Sequence, residues 1–136
     1  MCPSAAECAV RLEETRLTFA ESLRRFRPGQ GSTKALRDLL DCCRREQIPV
    51  VLIIPPESTL FRSWYTPEGL AAVDHLLDDL RRTYGVRILD ARHWVADKDF
   101  GDGHHVLPAG AEVFTTRLLG ELEKVSGPNG TCAHNL

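Results

Sequence analysis

Ile48-Pro-Val-Val-Leu-Ile-Ile-Pro-Pro56 is the stretch that decides the fold class of this 136-residue chain. Its centre is aliphatic throughout and shows no alternation of polar and apolar positions. A continuous apolar run of this length is typical of a parallel strand that helices cover on both faces. The two prolines end the strand because proline cannot donate a hydrogen bond to a sheet. The stretch therefore predicts a central strand of an α/β fold.

Helix patterns come before this strand in the sequence. Apolar residues recur at three- and four-residue steps over residues 5–26. A second helix is predicted to start from a cap at Ser32 or Thr33 and to run to about Glu46. The buried stripe of this second helix is predicted to be Leu36, Leu39, Leu40 and Cys43.

The chain after the strand repeats a helix–strand order. Thr66 caps a helix whose first position is proline, and Gly85 ends it in the place that favours glycine. The predicted elements are a helix from Thr66 to about Tyr84, a strand over 86–90, a loop over 91–106 and a helix from Pro108 to about Glu123. This order predicts a parallel sheet of few strands with right-handed crossovers.

Composition excludes several classes of function. The chain is 43% hydrophobic and 26% charged with a net charge of −2, so no overall basic field indicates a nucleic-acid partner. The longest apolar run is far shorter than the ~20 residues of a membrane span, and the N-terminus shows no signal peptide. Five cysteines without a C-x-x-C pair predict reduced thiols. We therefore expect a cytoplasmic protein without a membrane span.

The length suits one folded unit with flanking segments. We predict an N-terminal helix and linker over residues 1–31, an α/β half-domain over 32–124, and a disordered tail over 125–136.

Asp102 and His105 are the leading candidates for catalysis. They lie three residues apart in a glycine-containing loop, after the carboxyl end of the second predicted strand. Open α/β sheets bind ligands at that edge. A carboxylate can orient an imidazole there and stabilise its charged form, as a general base requires. The alternative is a polar surface loop, because Asp, Gly and His are common in loops.

The string Asp102-x-x-His105-Val-x-x-x-Gly110-Ala111-x-x-Phe114-Thr115 resembles the last conserved block of SGNH hydrolases. It is most similar to their acyltransferase-like and other bacterial subfamilies. Ile88-Leu-Asp-Ala-Arg92 and the strand that ends in Pro-Pro-Glu57 also fit these subfamilies. The resemblance covers about residues 34–122, which correspond to the C-terminal half of such a domain.

This resemblance implies a partial flavodoxin-like fold, in which a three-layer parallel sheet has flanking helices. It also implies an esterase or O-acyltransferase activity, with His105 as the general base and Asp102 as its orienting partner. The Gly-Asp-Ser block that carries the nucleophilic serine in SGNH hydrolases is absent from this chain.

Three further residues are candidates for lining the same site. Glu57 and Ser58 follow the first strand, and His104 precedes the candidate base. Ser58 is a weak candidate for the nucleophile, because a nucleophile there needs a tight turn into a helix and the chain is predicted to enter an aromatic loop. Ser32 is better explained as a helix cap.

A metal site is the remaining chemical alternative. Carboxylates and imidazoles suit zinc, iron or manganese, and five such residues lie within nine positions: Asp97, Asp99, Asp102, His104 and His105. Adjacent side chains point apart in an extended chain, so the two histidines are not expected to share one ion. We therefore predict neither a metal nor another cofactor.

Together these patterns predict an incomplete SGNH-type ester hydrolase or O-acyltransferase that is inactive alone. Its substrate would be a small ester or another acyl-bearing compound. A second copy of the chain, or an N-terminal half-domain, would complete the sheet and supply the serine. The alternative prediction is a non-catalytic interaction or dimerisation module derived from this fold, with the exposed sheet edge as its contact surface.

Overall fold

The structure is a computed structural model that describes residues 4–126, and it is mostly helical with one two-stranded parallel sheet. The elements in order are α1 (Ala5–Arg24), α2 (Gln30–Arg45), β1 (Val51–Ile54), α3 (Thr59–Arg62), α4 (Pro67–Tyr84), β2 (Arg87–Asp90), a 3-10 turn (Asp97–Asp99) and α5 (Pro108–Ser126). The prediction of a mixed α/β fold class is confirmed.

The sheet brings the carboxyl ends of both strands to one edge. β1 pairs with β2 in parallel, from Val51 opposite Arg87 to Ile54 opposite Asp90. Among residues 4–126, β2 is the only strand beside β1, so the outer edge of β1 carries no ladder hydrogen bonds. Ile53 of β1 is 39% exposed.

Local signals explain where α4 begins and ends. The side chain of Thr66 accepts a hydrogen bond from Gly69 N at 3.1 Å, and Pro67 occupies the first helical position. Gly85 ends the helix with φ of 66°, a conformation that glycine adopts without steric cost. The predicted boundaries of this helix are confirmed.

The prediction that Ser32 or Thr33 caps α2 is wrong. The helix begins at Gln30, and Gly29 is its N-cap without a side-chain hydrogen bond. The carbonyl of Gly29 accepts from Thr33 N at 2.9 Å, so both candidate caps lie inside the first turn. The predicted buried stripe of α2 is also too wide, because Leu40 is 2% exposed whereas Leu39 is 59% exposed.

Other boundaries differ by a few residues. β1 begins at Val51, later than the predicted strand. Ile48 N donates to Cys43 O, so Ile48 closes the end of α2 and does not belong to the sheet. α1 ends at Arg24 and α5 continues to Ser126. The rest of the predicted disordered tail lies outside the described residues.

Helix α1 packs against the segment that follows β1. Ala20 and Leu23 of α1 form a buried cluster with Phe61 and Trp64, and Tyr65 packs against it. The predicted domain boundary after residue 31 stays a prediction. Helix α1, which lies before that boundary, is part of the core. Among residues 4–126, no helix is both long enough and apolar enough to cross a membrane.

Candidate active site

The loop between β2 and α5 is held at both ends by backbone contacts. Phe100 and Val106 form an isolated antiparallel bridge, and Gly101 N donates to His105 O at 2.9 Å. Leu107 N donates to Asp99 O at 2.7 Å, directly before Pro108 begins α5. These bonds close residues 99–107 into one turn directly before α5.

Asp102 organises the tip of this loop. Its Oδ1 accepts hydrogen bonds from His104 N at 3.2 Å and from His105 N at 2.8 Å, which makes an Asx turn. Its Oδ2 lies 2.7 Å from His105 Nδ1. The predicted pairing of these two side chains is therefore present in the structure. The His105 side chain is 75% exposed, while that of Asp102 is 17% exposed.

Gly103 allows the turn between these residues. Its φ of +97° lies in the left-handed region, where side chains other than hydrogen are strained. A Cβ there would also lie 3.2 Å from Leu12 Cδ1 and 3.4 Å from Ser58 Oγ. The loop can therefore approach both α1 and the segment after β1 only with glycine at this position.

His104 lies between aromatic rings and the catalytic candidates. Its ring stacks on Phe61 with centroids 5.1 Å apart, and Phe19 of α1 contacts it edge-on at 5.2 Å. The His105 ring lies 3.9 Å away between centroids. The prediction that the two adjacent histidines point apart is wrong, because the Asx turn and the positive φ of Gly103 replace the extended chain that it assumed.

The electrostatics of the loop favour an ionised carboxylate beside neutral His104. Burial acts to raise the pKa of Asp102, but hydrogen bonds from His105 and from the backbone outweigh it, so this pKa is lowered. Burial lowers the pKa of His104, partly opposed by the negative charge of Asp102. The carboxylate is thus in the state that can accept a hydrogen bond from an imidazole.

Ser58 joins the segment after β1 to the loop after β2. Its backbone N donates to Gly103 O at 3.0 Å, and its side chain caps α3 by accepting from Phe61 N at 3.2 Å. The predicted aromatic loop is therefore partly wrong, because Ser58 provides the cap of the short helix Thr59–Arg62. Ser58 is 4% exposed, and no hydrogen bond within residues 4–126 joins it to either histidine.

A cavity of about 250 Å³ lies beside Asp102. Apolar side chains of Leu12, Leu60 and Phe100 line it, together with Ser58 and Asp102. The cavity extends from the carboxylate towards α1, and an apolar group of modest size fits such a lining.

Glu57 lies near the loop but makes contacts of its own. Its carboxylate accepts a hydrogen bond from Tyr65 Oη at 3.1 Å, and it does not line the cavity beside Asp102. Burial raises the pKa of Glu57, although Tyr65 and two arginines oppose this. Burial and the negative charge of Glu57 raise the pKa of Tyr65 to about 12.

Replacement of Glu57 by glutamine is expected to stabilise the protein at pH 7. The raised pKa means that the folded protein binds this proton more tightly than the unfolded chain does. Glu57 therefore stabilises the fold at a pH below its pKa in the unfolded chain. This stabilisation is lost as the pH rises through the pKa of Glu57 in the folded protein. Glutamine carries no charge and can still accept from Tyr65. Because water screens the half-buried group, we expect a gain of less than about 1 kcal/mol.

Urea unfolding at pH 7 and in acid tests this expectation. The difference between Glu57→Gln and the unmodified protein should shrink as the pH falls below about 4, the usual pKa of glutamate. Glu123→Gln, at an exposed position on α5, is the matched control. A Glu57→Gln protein that is less stable than the original at pH 7 would contradict the assignment.

The aromatic and α1 contacts of the site are not evident from the sequence. Phe19 and Leu12 lie on the apolar stripe that predicts α1, but nothing in that periodicity identifies the loop between β2 and α5 as their partner. Phe61 appears only as part of an aromatic run. The positive φ of Gly103 has a visible signal, because glycine between Asp102 and His104 is typical of a turn.

Comparison with known proteins places the chain in a family. A family model of a domain without an assigned function matches residues 11–126, which include most of α1 and all later elements that the structure describes. No curated protein and no solved structure matches the chain. Because the match covers most of the sequence, the chain belongs to this family of domains without an assigned function.

Proposed function

We propose that this chain supplies the base half of an SGNH-type esterase or O-acyltransferase site. In this proposal His105 is the general base and Asp102 is its orienting partner. The observation that carries the proposal is the 2.7 Å contact between Asp102 Oδ2 and His105 Nδ1. This contact leaves Nε2 as the nitrogen that accepts the proton from a serine hydroxyl.

Burial supports this assignment of roles. Asp102 is shielded and accepts three hydrogen bonds, so it is held in one orientation. His105 is exposed at the carboxyl edge of the sheet, where a second polypeptide segment has access to its ring. A rigid carboxylate behind an accessible imidazole is the arrangement that a base needs to serve a nucleophile from outside the chain.

The nucleophile comes from another segment in this proposal. Ser58 is buried and uses its hydroxyl to cap α3, so it does not fill that role. The outer edge of β1 is the place for further strands of a three-layer flavodoxin-like sheet, because its backbone groups lack ladder partners among the described residues. An N-terminal half-domain would pair there and carry the serine.

The apolar cavity beside Asp102 supports an acyl-bearing substrate. Leu12, Leu60 and Phe100 give the cavity an apolar lining beside the carboxylate, and a short acyl chain of a small ester fits a lining of this kind. Of the Asp102–His105 dyad, Asp102 lines the cavity, so a bound acyl group would lie beside the carboxylate that orients the proposed base.

Coexpression with the polypeptide encoded directly upstream tests the proposal. We expect the assembly to hydrolyse p-nitrophenyl acetate and to react with a fluorophosphonate at a serine of that upstream segment. The chain alone should show no turnover and no labelling. Labelling of a serine in the isolated chain, or an assembly that neither hydrolyses the ester nor reacts with the probe, would contradict the proposal.

A non-catalytic interaction module is the second candidate. The exposed Ile53 and the unpaired outer edge of β1 favour it, because such an edge can pair with a strand of another chain. The same experiment separates the two candidates. A stable assembly without esterase activity or serine labelling would favour the interaction module.

A further inference from the structure

Three side chains at the tip of the loop between β2 and α5 can hold a metal ion. Asp102, His104 and His105 each offer one ligand atom, and these atoms lie within 4.8 Å of one another. We propose that Asp102, His104 and His105 bind one zinc ion, with the two imidazoles and the carboxylate as its protein ligands. This proposal does not rest on the proposed esterase function.

The ligand atoms lie within 4.8 Å of one another, so they reach the spacing of a tetrahedral zinc site only after the histidine rings rotate. His104 Nδ1 lies 3.4 Å from Asp102 Oδ1. Zinc binds nitrogen and oxygen ligands at about 2.0–2.2 Å, so two ligands of a tetrahedral ion lie roughly 3.3 Å apart. His105 Nδ1 lies 2.7 Å from Asp102 Oδ2 and must move outward by about half an ångström to reach that spacing. Its exposed side chain leaves room for this movement.

The buried nitrogen of His104 is an independent observation in favour of a ligand. His104 Nδ1 is shielded from solvent and has no hydrogen-bond partner among the described residues. An imidazole nitrogen buried without a partner is costly, and bound ions are one explanation for such groups. A zinc ion between His104 Nδ1 and the carboxylate would satisfy this nitrogen.

The surroundings orient these ligands before an ion binds. Phe61 and Phe19 hold the ring of His104 on two sides, and the Asx turn holds the Asp102 carboxylate against the backbone. Two imidazoles with one carboxylate suit zinc in ligand type. The exposed side of His105 leaves a fourth position open to water.

Zinc binding and the base role compete for the same atoms. An ion that takes the Asp102 carboxylate and an imidazole nitrogen of His105 removes the contact that orients the base. The zinc-loaded chain would therefore lack an oriented base. His104 separates the two roles, because its imidazole belongs to the proposed zinc site and makes no hydrogen bond with Asp102 or His105.

Isothermal titration of zinc chloride into the metal-free chain tests the proposal. Accessible thiols are alkylated first in the folded protein, because free cysteines also bind zinc. We expect one ion per chain and at least about 10-fold weaker binding in His104→Phe, which keeps an aromatic ring on Phe61. His105→Ala should weaken binding as well, and it changes an exposed side chain outside the core.

His75→Ala is the matched control, since His75 is an exposed histidine of α4, away from the loop. It should bind zinc as the original chain does. Absence of a one-to-one ion in the original chain would overturn the proposal. Equal affinity in His105→Ala and the original chain would overturn it too, whether or not His104→Phe folds.

Discussion

Replacement of His105 by alanine is expected to lower the rate of ester hydrolysis by the serine-containing assembly on the order of 10³-fold or more. Without the imidazole, no group at this position accepts the proton of the attacking serine. Asp102→Asn should cause a loss of similar order, because asparagine cannot hold the neutral imidazole in the tautomer that leaves Nε2 free. The measurement is kcat/KM for p-nitrophenyl acetate.

The double variant distinguishes a functional pair from two unrelated effects. Residues that act as a unit are not additive, so His105→Ala with Asp102→Asn should lose no more than His105→Ala alone. His75→Ala should leave the rate unchanged, since His75 lies on α4. An assembly that hydrolyses the ester at the same rate with and without the His105 imidazole would exclude His105 as the base.

Replacement of Gly110 by alanine is expected to destabilise the protein by about 2–3 kcal/mol. A Cβ at this position would lie 2.8 Å from Asp99 O and 2.9 Å from Val95 Cγ1. Both distances are shorter than van der Waals contact, so α5 would have to move away from the turn Asp97–Asp99. Urea-induced unfolding measures the loss as a lower midpoint with an unchanged slope.

Gly120 provides a control in the same helix. A Cβ at Gly120 meets nothing within 4 Å, so Gly120→Ala should stabilise the protein by about 0.5–1 kcal/mol through helix propensity. The opposite signs at two glycines of α5 would show that Gly110 is required for close packing. Equal effects of the two replacements would contradict that explanation.

The elements with strong local signals are predicted well from the sequence. Proline after Thr66 and glycine at position 85 define both ends of α4, and the parallel pairing of β1 with β2 follows from an apolar strand, a helix and a second strand. Asp102 and His105 are also found by spacing alone, because an Asx turn brings an imidazole three residues later back to its carboxylate.

Features that depend on tertiary contacts are not predicted. The short helix α3 follows two prolines and lies within an aromatic run, and neither the contact of Ser58 N with Gly103 O nor the packing of Phe61 on α1 is visible in that pattern. The approach of the two adjacent histidines needs the positive φ of Gly103, which a pattern of extended residues does not include. The packing of α1 over the loop likewise involves residues about 80 positions apart.

The shared use of Asp102 links the proposed base and the proposed zinc site. The carboxylate can orient a proton on His105 or bind an ion, but it cannot do both with the same geometry. Measurements on the dyad therefore require a metal-free sample.

The tautomer of His105 tests directly whether Asp102 orients this imidazole as a general base. Long-range ¹H–¹⁵N spectra of the metal-free chain, recorded with the imidazole neutral, show which ring nitrogen carries the proton. We expect a proton on Nδ1, bonded to Asp102, and a free Nε2. A proton on Nε2 would contradict it, because Nδ1 and the carboxylate would then be two acceptors facing each other, and the nitrogen that must serve the serine would already be protonated.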